Sequence, residues 1–341
     1  MEKEVTIYDI AKRLNYSPAT VSRALNDHPA IKVDTKDLIT STAREMGYRS
    51  NTFASNLRRQ RTNTIGVIVP RLNSNFVSCV LAGMEKVANE AGYNLIISQS
   101  LESVVKEKAN AQTMFNSRVD GLLVSVAYDT EDINHFNTFI SKGIPLLFFD
   151  RVIDTGQSPS IVIDNAKAGY EATSHLLKQG RRRIMHVTGN LKRNVYADRL
   201  KGYQQALAEH AIPYDEQLVL ITDLSQEAGV DVARQITSMA MRPDGLFITN
   251  DLCAVKCMTT LKQAGLLIPD DIALVGFNND PVSQVIEPAL TTIHYPGREM
   301  GEIAAQSLIN HLNGLMDIQT TNTIILRSEL IVRGSSQKQS A

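Results

Sequence analysis

The chain has 341 residues, 43% of them hydrophobic and 21% charged, which is ordinary globular material and excludes a disordered or fibrous protein. That length points to two or three domains. The net charge of −1 conceals an asymmetry, because residues 1–61 hold 11 Lys and Arg against 7 Asp and Glu while the remainder holds 24 against 29. A basic head on an acidic body is expected where one end of a protein meets phosphate.

No apolar run reaches the roughly 18 residues that span a bilayer. The opening MEKEVTIYDIAKRL has no apolar signal core, so a cytoplasmic protein without membrane contact is expected. Cys79, Cys253 and Cys257 make no disulfide framework. Cys253 and Cys257 stand one helical turn apart, with no His or second Cys pair beside them for zinc. They read as buried thiols in a reducing compartment.

The first expected helix is in TIYDIAKRL, with Thr6 as N-cap and Ile7, Ile10, Ala11 and Leu14 as one apolar stripe. After Asn15-Tyr16, a second helix starts in SPATVSRALN. Ser17 caps it, Pro18 suits its first position, and Val21 and Leu25 face inward together. A third helix, about Asp34 to Met46, ends at Gly47. Two short helices joined by a tight turn and backed by a third make a helix-turn-helix, although a helical subdomain without a DNA role has the same outline. Residues 49–63 carry Arg58, Arg59 and Arg61 on a segment with no core-forming stripe: a basic linker, or one ordered on binding an anion.

From Ile65 the texture changes. IGVIVP, NLIISQS, DGLLVSV, IPLLFFD, SIVID, RIMHVTG, LVLITD, DGLFITND and IALVGFNN are short apolar runs alternating with amphipathic stretches. Such runs belong to parallel strands covered on both faces, here in two similar α/β lobes with a ligand cleft between them. Polar residues recur where those strands end: Asn73 and Phe76, Ser125, Asp150 and Arg151, Asn250 and Asp251, Asn278 and Asn279. All of these but Asn279, together with Arg199, after HVTG, and Tyr295, are the candidate effector-binding residues. Carboxylates, amides and an arginine converging on a cleft are the hydrogen-bonding set for sugar hydroxyls. His186, inside RIMHVTG, reads as a core or strand-end histidine. With no Gly-x-Gly-x-x-Gly, Walker loop, Gly-x-Ser-x-Gly or His-Glu-x-x-His, neither catalytic residues nor a metal or cofactor are expected.

TIYDIAKRLNYSPATVSRALN, REMGY, RSNTFASNLR and TIGVIVP closely resemble the lactose/galactose repressor (LacI/GalR) family of bacterial transcription regulators. The likeness continues through VDGLLV, GIPLLFFDR, ADRLKGY, ITND, VGFNND, ALTTI and RSELIVRGSS, so it covers essentially the whole chain. It implies an all-α helix-turn-helix head plus an α/β core of two parallel-sheet lobes like type I periplasmic binding proteins. The head would span 1–49, a hinge helix 50–63 and the core 64–334. Lobe 1 would take about 64–162 plus 294–323, lobe 2 about 163–292 plus 324–334, and 335–341 would be a tail.

The family pattern further implies that the second helix reads the major groove through Pro18, Ala19 and Arg23. Thr6, Tyr8, Ser17, Thr20, Ser22 and Asn26 match positions that contact phosphates. In the hinge, about Asn51–Leu57, Ala54 and Leu57 would enter the minor groove as a wedge that kinks the duplex, followed by Arg58. Three departures stand out. The usual turn glycine is Asn15, the next-best residue for a left-handed conformation. The usual proline before the hinge is Ser50. The usual acid after VG-aromatic is Asn278, which puts a carboxylate contact to ligand in doubt there.

The expected function is a DNA-binding regulator, a repressor in the first instance, whose affinity for a pseudo-palindromic double-stranded operator answers to a small-molecule effector. The effector would be a carbohydrate, with a sugar acid left open beside it. The alternatives are a regulator controlled by a partner protein and, more distantly, a solute-binding protein. Without C-terminal heptads the expected assembly is a homodimer, located at the nucleoid when on DNA. With Pro18 and Ala19 at two reading positions, hydrogen-bonded base readout falls on Arg23, most naturally to a guanine. Arg23→Ala is therefore expected to abolish operator preference while weak, salt-sensitive binding persists; unchanged specificity in a titration against operator and scrambled duplexes would refute that role.

Overall fold

Two hydroxyl caps open the first two helices in the computed structural model, which describes residues 5–48, 61–153, 159–320 and 323–337. Helix α1 (Ile7–Leu14) starts in a closed capping box: Thr6 Oγ1 accepts from Asp9 N at 3.4 Å and the Asp9 carboxylate accepts from Thr6 N at 2.8 Å. Asn15 ends it at φ 57° and ψ 37°, so the turn survives without glycine. Ser17 caps α2 (Pro18–Leu25), its Oγ accepting from Thr20 N at 3.1 Å. Helix α3 (Val33–Glu45) closes the unit, and Ile10, Val21 and Ile39 meet without exposure among Ala11, Ala24 and Ala43. Those small alanines let three short helices share one core.

The chain divides into two compact units between Thr62 and Asn63. The second begins with β1 (Thr64–Val69), α4 (Asn75–Glu90), β2 (Asn94–Gln99), α5 (Val104–Asn116), β3 (Gly121–Val124), α6 (Asn137–Ser141), β4 (Leu146–Phe149) and β5 (Ser160–Ile163). It continues with α7 (Asn165–Lys178), β6 (Ile184–Thr188), α8 (Asn194–Glu209), β7 (Val219–Ile221), α9 (Gln226–Ser238) and β8 (Gly245–Ile248). Then come α10 (Asp251–Gln263), β9 (Ala273–Asn278), α11 (Val282–Val285), β10 (Thr291–His294), α12 (Gly297–Leu312), β11 (Thr323–Leu326) and β12 (Glu329–Ile331). Every apolar run noted in the sequence is a strand.

Two sheets result, with the same order: β2-β1-β3-β4-β5-β11 and β7-β6-β8-β9-β10-β12. Pairing is parallel except for β12, which runs antiparallel to β10. Central strands β3, β4, β6 and β8 are buried throughout, whereas edge strands β2 and β7 are half-exposed, as helix-covered parallel sheets require. Two boundaries differ from expectation. β11 pairs with β5 in the first lobe's sheet, so the last crossing falls after Leu326 rather than at 324. Ser335 and Ser336 are fully buried, not a free tail. Ser335 bonds Leu274 and Thr291, and the Ser336 hydroxyl lies 2.7 Å from His175 Nε2, so the end of this segment completes the second lobe.

Each lobe contains a helix pair in backbone contact. In the first lobe, a Cβ on Gly301 of α12 would lie 1.9 Å from Val80 O of α4. In the second, a Cβ on Gly202 of α8 would lie 2.0 Å from Ala166 O of α7, and one on Gly169 of α7 would lie 2.3 Å from Arg199 O. Helix propensity favours Gly202→Ala by about 1 kcal/mol, but overpacking against backbone costs roughly 1–3 kcal/mol and nothing flexible can give way. A net loss of stability is expected in urea unfolding; a variant as stable as the wild type would show that these helices are not in contact.

Candidate functional site

On the first unit, α2 buries Val21 and Ala24 and leaves Ala19, Arg23 and Asn26 exposed, with Tyr8 of α1 also 68% exposed. Pro18, Thr20 and Ser22 are half-exposed, and Thr6 and Ser17 are exposed. The polar groups here already work inside the fold. Thr6 and Ser17 are caps, the Ser17 and Thr20 hydroxyls lie 2.9 Å apart, and Asn26 Nδ2 donates to Ser22 O at 2.7 Å. Asn51, Ala54, Leu57 and Arg58 lie outside the described residues.

In the second unit, the C-terminal ends of the strands from both lobes converge on a cavity of about 290 Å³. Asn73, Phe76, Asp150, Arg151, Arg199, Asn250, Asn278 and Tyr295 line it, as expected from their places after strands. At its centre Tyr295 Oη donates to Asp150 Oδ1 at 2.7 Å, and the Tyr295 ring stacks on Phe76 with centroids 4.1 Å apart. Burial first, then the Asp150 charge, raises the Tyr295 phenol well above its ordinary range and keeps it a hydrogen-bond donor. Asp150 itself sits at φ 58°, a left-handed conformation that an Asp tolerates and that turns the chain at the strand end.

The Arg199 guanidinium lies over the Phe277 ring, 3.6 Å from its centroid, with Nε donating to Asn165 Oδ1 at 2.9 Å and Nη1 to Thr249 O at 3.5 Å. Arg151 donates through Nη1 to both Glu102 carboxylate oxygens, at 3.0 and 2.8 Å, and through Nη2 to Tyr196 Oη at 3.2 Å. Its guanidinium lies 4.3 Å from the centre of the Tyr128 ring.

Two expected residues are not in the lining. Ser125 is fully buried behind Asp150 and donates to its Oδ2 at 3.4 Å, so it orients the carboxylate. Asp251 is also fully buried. It starts α10, accepts from Thr292 Oγ1 at 2.7 Å and Asp280 N at 2.8 Å, and ties β10 to the end of β9. The sequence reading missed Tyr128, Tyr196, Glu102 and Asp280 in the lining. Tyr196 was findable one helical turn before Arg199, and Asp280 two residues beyond Asn278. The carboxylate absent at Asn278 thus reappears in the same cavity from Asp280. His186 proves a core residue, stacked between Tyr203 and Phe247, and burial pushes its imidazole down to about 3. Cys253 and Cys257 are buried thiols, Cys253 pushed up to about 12 by burial. Among the described residues, no group of three or more His, Cys, Asp and Glu could hold a metal ion, and no helix is long and apolar enough to cross a membrane.

Residues 6–51 match the model of the lacI family of bacterial regulatory proteins, and residues 173–336 that of the periplasmic binding protein-like domain. Catabolite control protein A of Priestia megaterium is 30% identical over 310 residues, covering 91% of this chain and 93% of that protein. The chain belongs to the lacI family. The HTH-type transcriptional repressor PurR of Klebsiella pneumoniae (strain 342) is 31% identical over 309 residues, 90% of each. Among solved structures, the Lac repressor bound to ONPG in its repressed state superposes with a TM-score of 0.85 at 25% identity, covering 98% of this chain and all of that one. The complex of the transcriptional regulator CelR with cellobiose gives 0.73 at 25% identity, covering 97% of this chain and all of that one. This lacI-family member is accordingly a DNA-binding transcriptional regulator.

Burial raises the Asp251 carboxyl from 3.8 to about 7. The folded protein therefore holds a proton that the unfolded chain has released between those values, and stability falls as pH rises through that window. Asp251→Asn is expected to flatten the fall by about 1.4 kcal/mol per pH unit, read from urea unfolding at several pH values. A slope identical to wild type would remove Asp251 as its source.

Proposed function

We propose that this lacI-family regulator is a homodimeric repressor acting in the cytoplasm, whose hold on a pseudo-palindromic operator is set by a sugar or sugar derivative bound between its lobes. The observation that carries the reading is the make-up of the cavity. Phe76 and Asp150 come from the first lobe, Arg199 and Asn250 from the second, and Tyr295 from the strand-to-helix crossing between them. Aromatic faces, an oriented carboxylate and an arginine suit a hydroxyl-bearing ring. A ligand touching both lobes binds some lobe arrangements better than others, and only such a difference can shift a conformational equilibrium. Operator and effector then alter each other's affinity by the same factor. The complex of the structural neighbour CelR with cellobiose supports the carbohydrate reading.

On DNA, we assign base readout to Arg23 with Pro18 and Ala19, and phosphate contact to Thr6, Tyr8, Ser17, Thr20, Ser22 and Asn26. The minor-groove role goes to Asn51, Ala54, Leu57 and Arg58. A panel of sugars titrated into the protein–operator complex tests the main reading, with release of DNA expected for one of them. Arg199→Met, which keeps an unbranched apolar side chain but loses the guanidinium over Phe277 and its donors, is expected to weaken that sugar about tenfold or more by calorimetry. Effector affinity equal to wild type would take Arg199 out of the site.

A further inference from the structure

The cavity is lined by three arginines but also by five carboxylates, those of Glu102, Asp150, Asp223, Glu227 and Asp280. The arginines are, moreover, engaged. Both Glu102 oxygens accept from Arg151 Nη1, with side-chain exposures of only 9% and 12%, and Glu102 also lies 3.5 Å from Arg71 Nε. Arg199 spends Nε and Nη1 on Asn165 and Thr249. Glu102 is held there at a cost to the backbone: Leu101 and Glu102 follow β2 with φ values of 51° and 62°, two consecutive left-handed residues, neither of them Gly or Asn. That backbone brings a carboxylate to Arg151, whose guanidinium lies against the Tyr128 and Tyr196 rings.

We infer that the Glu102–Arg151 pair is a charge filter, so that the cleft accepts an uncharged sugar and rejects sugar acids and sugar phosphates. This rests on the reading of the cleft as the effector site and narrows it. An incoming carboxylate or phosphate meets an arginine whose charge is already paired with Glu102, in a lining with an excess of negative charge. A hydroxyl needs no displaced counter-charge; it donates to Asp150 or accepts from the remaining Arg199 edge. Taking Glu102 away leaves Arg151 buried and unpaired, a state that an anionic ligand relieves.

The test compares wild type, Glu102→Gln and Arg151→Met as full-length proteins. Calorimetry with matched sets of a neutral sugar, its uronic acid and its phosphate is expected to show wild type favouring the neutral member by at least about tenfold. Glu102→Gln is expected to move that ratio toward the anion by a similar factor, and Arg151→Met to leave anions excluded. Wild type binding an anionic member as tightly as the neutral one, or Glu102→Gln with an unchanged ratio, overturns the filter. If no sugar of any charge binds, the sugar reading of the cleft fails, and millimolar inorganic phosphate decides the filter alone. It must then raise the melting temperature of Glu102→Gln more than that of wild type, and equal shifts overturn the inference. Should Glu102→Gln not fold, the wild-type neutral-to-anion ratio still decides.

Discussion

Helices α7 and α8 touch through their backbones, and the placement of Tyr196 and Arg199 in the cleft depends on that contact. With Gly202 against Ala166 O and Gly169 against Arg199 O, α8 has no freedom to slide. Arg199 therefore emerges at a fixed height, its guanidinium over Phe277 and bonded to Asn165 at the start of α7. Tyr196, one turn earlier, reaches Arg151 and Tyr128 of the other lobe. A side chain at either glycine would have to move the helix and with it both cleft residues.

Cross-lobe bonding continues from the N-terminal end of the same helix. Asn194 donates to Asp150 O and accepts from Val152 N, Arg193 Nη2 donates to Thr130 O at 2.6 Å, and Lys192 pairs with Glu131 at 2.8 Å. Arg193 is buried where Lys192 is exposed, so the first is the costlier to break and the second is worth little. The residue that presents its carboxylate to the cleft, Asp150, is thus also held by its backbone to the other lobe. Ligand binding and lobe arrangement meet at Asp150, as they do at Arg151 and Tyr196.

The small first unit follows an opposite economy. In α1 and α2 several exposed polar groups also serve as caps, because helices of eight residues have few side chains to spare. Ser17 holds the start of α2 while standing on its exposed surface, and Asn26 closes the end on Ser22 O. Arg23 is the one charged side chain of that helix, and it stands exposed.

Local chemistry made much of this legible in the sequence. Hydroxyls at Thr6 and Ser17, Pro18 at the first helical position and Asn15 in the turn each act within a few residues, so the three-helix head could be read directly. Alternating apolar runs specified both sheets, because a strand buried on two faces has no polar positions to hide. Eight of the ten expected effector residues lie in the cavity lining, and all of them but Arg199 follow a strand closely. What distinguishes Ser125 and Asp251 from their neighbours is one residue of pleat or one helical cap, which turns the side chain behind the cavity. Only tertiary structure decided that, as it decided that β11 pairs across to β5, that Ser335 and Ser336 plug the second lobe, and that Glu102 meets Arg151 across 49 residues. Such pairings depend on which elements lie side by side in three dimensions, and no local pattern of residues carries that information.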